Sequence, residues 1–271
     1  MAGKGKKPYV FRFPGGKGKA VALSFDDGAP QDVRMVGILN RCGLKATFHL
    51  NSSRLKGADQ AGDISSRYEG HEIACHGSHH MEMNILPRET LAAELLENRR
   101  GLEEVVQRPV RGFSYPYGTY TPELARLVKE LGFAYARGIE KDTRLLLPTN
   151  HWEWLPTSGT GDDFVGYGRR LLSAPDHPSL VLMLLWGHSY DFDKRNAWQA
   201  FEEFCGLMQS AAKDVWSATC LDYVDYITAA RSVRCSLDGH CMENPSATPV
   251  WVFADGKSRC IEPGETVLLG G

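Results

Sequence analysis

The chain has 271 residues, of which 42% are hydrophobic and 24% charged, and its formal net charge is −2. These values are typical of a globular protein and exclude a binder of nucleic acid or anionic membrane that relies on a basic surface. No segment is apolar for long enough to span a bilayer, and no signal-peptide pattern is present. We therefore expect a cytoplasmic protein with no nucleic-acid or membrane partner; secretion is the alternative if a signal was trimmed.

Strands and helices alternate along the first half of the chain. The apolar run 20–25 predicts a buried strand that ends at Asp26-Asp27-Gly28. Four more strands are predicted, at 46–50, 72–75, 112–116 and 133–137. Helices are predicted between them, at 30–42, 87–107 and, behind a Thr121 cap, about 122–131. Residues 52–70 show no strong period. This order favours parallel pairing.

The second half continues the pattern up to about residue 230. The alternating, aromatic-rich stretch 151–156 predicts a sixth strand, and the wholly apolar stretch Ser179 to Trp186 a seventh. Helices are predicted at 162–173, 195–212 and 221–230. Seven strands alternating with helices predict an α/β fold, a distorted (β/α) barrel of about seven parallel strands. An open doubly wound sheet is the alternative.

The tail has a different character. After residue 231, turn signals recur at short intervals, and strands are predicted at 250–253 and 266–269. We expect a barrel domain over 1–230 and a small β appendage over 231–271 packed on it, since so short a segment buries little core alone. Three cysteines of the tail lie close together in sequence, and thiols are favoured over a disulfide.

Polar residues stand just past the ends of four predicted strands. They are Asp26-Asp27, His76, the turn Pro116-Tyr117-Gly118, and His188. In a β/α barrel the carboxyl ends of the strands share one face, where active sites are built. Any one of these placements alone is weak, because a turn or a structural histidine explains it. Their coincidence favours a functional site.

Two of these groups suggest a metal. His76 and His80 are four positions apart, so one tight turn can aim both rings at one point, although a polar surface loop is the simpler reading of a histidine cluster. One carboxylate of the Asp26-Asp27 pair would complete the ligand set, leaving the other as a general base. A histidine across the cavity could act as general acid, and the Pro-Tyr-Gly turn could supply an oxyanion donor. This describes metal-assisted hydrolysis of an acyl group.

Four segments resemble the motifs of the polysaccharide deacetylases, the NodB-homology domain of carbohydrate esterase family four. They are Leu23-Ser24-Phe25-Asp26-Asp27-Gly28, Gly70-His71-Glu72-Ile73 with His76-Gly77-Ser78-His79-His80, Ser114-Tyr115-Pro116-Tyr117-Gly118, and Leu184-Leu185-Trp186-Gly187-His188. Their order and spacing match from about residue 19 to 230. The tail is not covered.

The resemblance implies a distorted barrel that removes acetyl groups from a carbohydrate, either an N-acetyl amino sugar oligomer or polymer or an O-acetylated polysaccharide such as xylan. It implies a divalent metal ion, zinc before cobalt, nickel or manganese, that activates water. The site roles it implies are Asp27, His76 and His80 as metal ligands, Asp26 as base, His188 as acid, the main-chain N–H of Tyr117 as oxyanion donor and Trp186 as a wall of the acetyl pocket.

Two positions depart from the family pattern. The third motif usually begins with an arginine that orients the catalytic aspartate, and this chain has Ser114 there. We expect Arg137 to replace that arginine from across the barrel; a surface or structural role is the alternative. Trp186 stands where the family more often has an aliphatic residue, so it either narrows the pocket or packs against Trp152 and Trp154.

Two other functions stay open at this point. Some relatives of the fold suggest an amidohydrolase acting on a small non-sugar amide. A protein of another class, a carbohydrate-binding or metal-storing relative without catalysis, would have the same ligands. The presence of Asp26 and His188 disfavours this last reading, because neither residue is needed for binding alone.

Overall fold

The computed structural model describes residues 9–55, 58–176 and 180–269. Its strands are β1 (Tyr9–Arg12), β2 (Lys19–Asp26), β3 (Thr47–Leu50), β4 (Glu72–Cys75), β5 (Gly112–Ser114), β6 (Tyr135–Arg137), β7 (Ser158–Gly159), β8 (Val181–Gly187), β9 (Val215–Ala218), β10 (Arg234–Cys235), β11 (Cys241–Glu243), β12 (Val250–Ala254), β13 (Lys257–Ile261) and β14 (Thr266–Leu268). Its helices are α1 (Asp32–Arg41), α2 (Ala58–Arg67), α3 (Arg88–Val106), α4 (Pro122–Glu130), α5 (Phe164–Ser173), α6 (Ser189–Lys194), α7 (Trp198–Ser210) and α8 (Cys220–Ser232). Across these ranges no helix combines the length and apolarity needed to cross a bilayer.

A curled parallel sheet forms the centre of the molecule. Its strand order is β6-β5-β4-β3-β2-β8-β7, and β9 pairs in parallel with the first half of β2. The edge strands β6 and β7 end this order, so the barrel is open between them. The predicted distorted barrel of about seven parallel strands is confirmed.

The pleat of each strand separates two apolar layers. Val21 and Leu23 of β2 join the large cluster between the sheet and the surrounding helices. Ala20 and Ala22 point the other way, into a second cluster inside the barrel that side chains of α8 complete. Because side chains alternate along a strand, Asp26 continues the interior row toward the carboxyl end of the sheet. The fold therefore places an acidic side chain at the mouth of the barrel interior.

Several local predictions differ from the structure. Residues 151–153 form a 3-10 turn instead of a strand, and only Trp154 bridges to β6. Pro156 has no N–H to donate, so the ladder cannot continue there, and the strand forms at β7 instead. The elements α2, α6 and β9 were not predicted, since α6 and β9 have only six and four residues and α2 lies in a polar stretch that contains glycine. Ser179, the first residue of the predicted seventh strand, lies outside the described residues.

The tail and β1 together form two small antiparallel sheets, β1-β12-β13 and β10-β11-β14. Their buried side chains make a separate apolar cluster, to which Tyr9 and Phe11 of β1 contribute. Tyr226 of α8 joins the tail to the barrel, because its hydroxyl accepts from Trp251 N at 3.0 Å and donates to Arg12 O. The tail cysteines are free thiols. The division into 1–230 and 231–271 stays a prediction.

Candidate metal centre and catalytic site

The carboxyl ends of the strands bring the predicted site residues together. Asp26 is the last residue of β2, His76 follows β4 directly, and His188 follows β8 directly. One ligand atom from each of Asp27, His76 and His80 lies within 4.8 Å of the others. The three side chains predicted to bind a metal therefore converge on one point.

The spacing of these atoms fits a small divalent cation. Asp27 Oδ1 lies 3.7 Å from His80 Nε2 and 4.0 Å from His76 Nε2. A tetrahedral zinc ion with ligands at about 2.0–2.2 Å would space its donors roughly 3.4 Å apart, so a small inward shift suffices. Asp27 and His80 have φ values of +79° and +56°. Non-glycine residues rarely adopt this backbone conformation, and such strain is concentrated at functional sites.

The hydrogen bonds of His76 fix the orientation of its ring. Its Nδ1 lies 2.9 Å from the carbonyl oxygen of Ser114, which can only accept, so Nδ1 carries the proton. Nε2 is then the free lone pair, and it faces Asp27. On the main chain, His76 N donates to Asn98 Oδ1 at 2.8 Å, and Asn51 Nδ2 donates to His76 O at 2.6 Å. These partners present Nε2 as a metal ligand.

A buried glutamate of α3 holds the loop between the two histidine ligands. Glu94 is 4% exposed, and its carboxylate accepts from His79 N at 2.5 Å and lies 3.0 Å from His79 Nδ1. Its carbonyl accepts from Ser78 N at 3.3 Å. The loop is thereby fixed at its middle, which limits how far His80 can move from His76.

Asp26 lies beside the metal centre but inside the barrel. Ser114 Oγ donates to Asp26 Oδ1 at 3.1 Å, and Arg137 Nη2 donates to the same oxygen. Burial alone would raise the pKa of Asp26, but the charge and the hydrogen bond of the Arg137 guanidinium outweigh it and hold this pKa well below its ordinary value. Its second oxygen lies 3.9 Å from His76 Nε2. Asp26 is thus an ionised proton acceptor facing the ligand cluster.

Arg137 reaches Asp26 from across the barrel, because β5, β4 and β3 lie between its strand β6 and the strand β2 of Asp26. That it replaces the arginine of the family motif stays a prediction. Arg137 of β6 is the register partner of Ser114 of β5, so the two side chains enter the interior side by side. Its side chain is fully buried, which rules out a surface role. A short serine at 114 leaves room for the longer guanidinium beside it.

His188 has a carboxylate partner that the sequence had not suggested. His188 Nδ1 lies 3.1 Å from Asp191 Oδ2, which also accepts from Thr160 Oγ1 at 2.8 Å. Burial lowers the pKa of His188, but the hydrogen bond to Asp191 and the charges of Asp26, Asp191 and Asp27 raise it above its ordinary value. Nε2 is 3.8 Å from Asp27 Oδ2. The three-residue spacing of a capping box at the start of α6 was the available signal for Asp191.

Two aromatic side chains predicted for the site line its rim. The ring of Tyr117 packs edge-on against His80, with centroids 4.7 Å apart, and its φ is +59°. The ring of Trp186 lies 5.9 Å from that of His188 and 5.2 Å from the guanidinium of Arg137. Trp186 therefore faces His188 and Arg137. Its role in the pocket, like the oxyanion role of Tyr117 N–H, stays a prediction.

Two further side chains contact Asp27 and were not predicted. Tyr190 Oη donates to Asp27 Oδ2 at 3.2 Å, and Arg54 Nη1 donates to Asp27 Oδ1 at 3.3 Å. Both lie outside the strand ends and belong to no recognisable motif. Arg54 thus shares the oxygen that faces the two histidines, and it competes with a cation for that oxygen.

Comparison with known proteins agrees with this geometry. The family model described as polysaccharide deacetylase matches residues 13–136, which confirms the resemblance seen in the motifs. No curated protein sequence matches the chain.

Solved structures share the fold at low identity. A protein from Mycobacterium smegmatis described as a polysaccharide deacetylase is 21% identical, with a TM-score of 0.63 over 83% of this chain and 96% of its own. A family 4 carbohydrate esterase from Streptomyces lividans, solved with acetate, is 16% identical, with a TM-score of 0.54 over 74% and 93%. A family 4 pseudoenzyme from Bacillus anthracis is 18% identical, with a TM-score of 0.53 over 76% and 66%.

Proposed function

We propose that this chain, whose match to the polysaccharide deacetylase family covers residues 13–136, is a divalent-metal-dependent hydrolase that removes acetyl groups from a carbohydrate. The observation that carries the proposal is the convergence of Asp27, His76 and His80, flanked by Asp26 and His188. One carboxylate and two imidazoles form a zinc-type donor set with an open coordination position. Cobalt, nickel and manganese are the other candidate ions.

The protein side chains have separate tasks in this mechanism. When bound, a divalent cation polarises an acyl carbonyl and acidifies water. Asp26, held ionised by Arg137, accepts the proton of the attacking water. The main-chain N–H of Tyr117 donates to the oxyanion that develops on the acyl group. Trp186 bounds the space for the acetyl methyl group.

His188 completes the reaction. Departure of an amine or alkoxide needs a proton, because neither is a good leaving group unprotonated. Asp191 holds His188 by Nδ1, so its Nε2 faces the centre and can deliver that proton. The raised pKa of His188 keeps a larger share of the ring protonated near neutral pH. Asp26 and His188 thus stand as base and acid on either side of Asp27.

Acetate release is the direct test of the proposal. The purified chain is offered acetylated chitooligosaccharides, acetylated xylan and small non-sugar amides, before and after chelation. We expect release from at least one glycan, loss on chelation, and recovery with zinc or cobalt. Undiminished hydrolysis after stringent metal removal would contradict metal dependence, and release from the small amides alone would favour the amidohydrolase. Glycan binding with metal present and no turnover would identify an inactive relative.

A further inference from the structure

A column of polar side chains runs through the barrel interior below Asp26, where small barrels are usually filled by apolar residues. Its members are Ser24, His49, Tyr135 and Glu72. Ser24, His49 and Tyr135 have no exposed surface, and Glu72 is 7% exposed. The pleat turns all four inward from β2, β3, β6 and β4. Burying so many polar groups is costly unless each is hydrogen-bonded.

The column is a continuous chain of hydrogen bonds that begins at Arg137. Arg137 Nε donates to Ser24 Oγ at 3.0 Å, and Ser24 Oγ lies 3.4 Å from His49 Nδ1. His49 Nε2 lies 3.3 Å from Tyr135 Oη, which donates to Glu72 Oε1 at 2.9 Å. The chain thus connects the guanidinium that holds the base to a carboxylate on the opposite side of the barrel interior.

The two ends of the chain are fixed by their chemistry. A guanidinium only donates, so Ser24 Oγ accepts from Arg137. At the other end, Glu72 accepts from Thr47 Oγ1 at 2.7 Å and from Leu221 N at 2.9 Å besides Tyr135. A proton on His49 Nδ1 faces Asp26 Oδ1 at 3.4 Å, and a proton on Nε2 faces Tyr135 Oη at 3.3 Å, so either neutral tautomer joins the base to the chain of hydrogen bonds. Burial, which lowers the pKa of His49 well below its ordinary value, agrees with a neutral ring.

Gly112 of β5 leaves space for these hydrogen bonds because it has no side chain. A Cβ on Gly112 would lie 2.3 Å from Tyr135 Oη and 2.6 Å from Glu72 Oε1. Any larger residue would separate the two groups, because real side chains do not approach so closely. The tyrosine–glutamate contact therefore depends on glycine at this place in β5.

We propose that His49, Tyr135 and Glu72 are positioning residues for Asp26, acting through Ser24 and Arg137. The inference rests on the proposed function, since it assigns Asp26 the role of base. His49 also packs directly against Asp26, with Nδ1 3.4 Å from Oδ1. While these hydrogen bonds are intact, Ser24 Oγ and the Arg137 guanidinium are fixed. Asp26 then keeps its second oxygen aimed at the candidate metal ligands. When His49 is removed, the Ser24 hydroxyl loses a hydrogen-bond partner and Arg137 loses a fixed support.

The test replaces His49 with phenylalanine, which fills the same space in an interior that already contains aromatic rings. We expect kcat for acetate release to fall roughly 10- to 100-fold, as for loss of a residue that supports a catalytic group, with KM and zinc affinity unchanged. His49→Asn should recover most of kcat, because its amide group can both donate and accept and so can hydrogen-bond Ser24 in place of Nδ1. A residue with only a structural role would change stability without this split or this rescue.

His71→Phe is the matched control. His71 is also a buried histidine beside a strand, and its side chain hydrogen-bonds Ala46 N at 3.1 Å and Asn40 Oδ1 at 3.1 Å, neither of which belongs to the column. We expect His71→Phe to lower stability and leave kcat unchanged.

If His49→Phe does not fold, Tyr135→Phe removes the next hydrogen bond of the column and should also lower kcat without changing KM or zinc affinity. Wild-type kcat in a folded His49→Phe or Tyr135→Phe protein would overturn the inference. Absence of acetate release from the wild type would instead overturn the proposed function.

Discussion

Two of the three candidate metal ligands and the Asp26–Arg137 pair are neighbours in space, yet they are built on different supports. Asp27 and His80 lie on loops at the mouth of the barrel, in left-handed backbone conformations. Asp26 and Arg137 are the last residues of two strands and lie inside the barrel, no more than 2% exposed. The loops can adjust around an ion, whereas the strands hold the base in one orientation.

This difference predicts different consequences of mutation. Removing one partner of a buried ion pair leaves an uncompensated charge, which costs about 3–5 kcal/mol. Removing a ligand at the mouth leaves its partners close to water, so the fold should suffer less. Substitutions at the mouth should therefore change metal binding, and substitutions inside should change turnover and stability.

Arg137→Ala should have the largest effect. It leaves Asp26 buried without its cation, so we expect a loss of about 3–5 kcal/mol in the free energy of unfolding. Misplacement of the base should lower kcat by about 100-fold, with zinc affinity retained. Denaturant unfolding measures the stability, steady-state kinetics the kcat, and zinc titration the affinity for the ion. Unchanged turnover would show that Arg137 does not support the base.

Asp191→Asn tests the acid on the other side of Asp27. Without the carboxylate, His188 should hold its proton less tightly, so we expect kcat to fall about 10-fold on substrates with amine or alkoxide leaving groups. An activated aryl acetate, whose leaving group needs no proton, should be hydrolysed at nearly the wild-type rate. Equal losses on both kinds of substrate would contradict a role through His188.

Arg54→Gln tests competition at the mouth. Arg54 holds the Asp27 oxygen that faces the histidines, and its side chain is 54% exposed. Removing an exposed charge of this kind should tighten zinc binding by roughly 0.5–1 kcal/mol, a few-fold in Kd. Lys45→Gln, at the start of the segment leading into β3, is the control and should leave Kd unchanged. Weaker binding in Arg54→Gln would show that Arg54 supports the site.

The smallest effect concerns pH and a histidine outside the site. Burial, with a contribution from the charge of Lys45, lowers the pKa of His71 from 6.5 to about 4. A lowered folded-state pKa stabilises the protein above pH 6.5, and this stability is lost as pH falls toward 4. His71→Phe should therefore lose less stability than the wild type between pH 7 and pH 4.5. If urea unfolding showed the same change of stability with pH in both proteins, this assignment would be contradicted.

The same comparison explains how much could be predicted from the sequence. Asp27, His76, His80, Asp26 and His188 follow strand ends within short motifs, so local patterns identify them. The contact of Arg137 with Asp26 from across the barrel agrees with the expected direction, but its register beside Ser114 depends on which strand pairs with β5, and that pairing has no local signal. Arg54 and Tyr190 reach Asp27 from a 3-10 turn and from the first turn of the six-residue helix α6, which are too short to show a sequence period. The aromatic alternation at 151–156 resembled a strand because Trp152 and Trp154 are both partly or fully packed.

The division of labour between the two adjacent aspartates is tested most directly by calorimetric zinc titration of Asp26→Asn and Asp27→Asn, with acetate release measured on the same samples. We expect Asp26→Asn to bind one zinc ion with wild-type affinity and to release no acetate. We expect Asp27→Asn to lose tight zinc binding. Loss of zinc binding in Asp26→Asn, together with its retention in Asp27→Asn, would contradict the assignment of base and ligand.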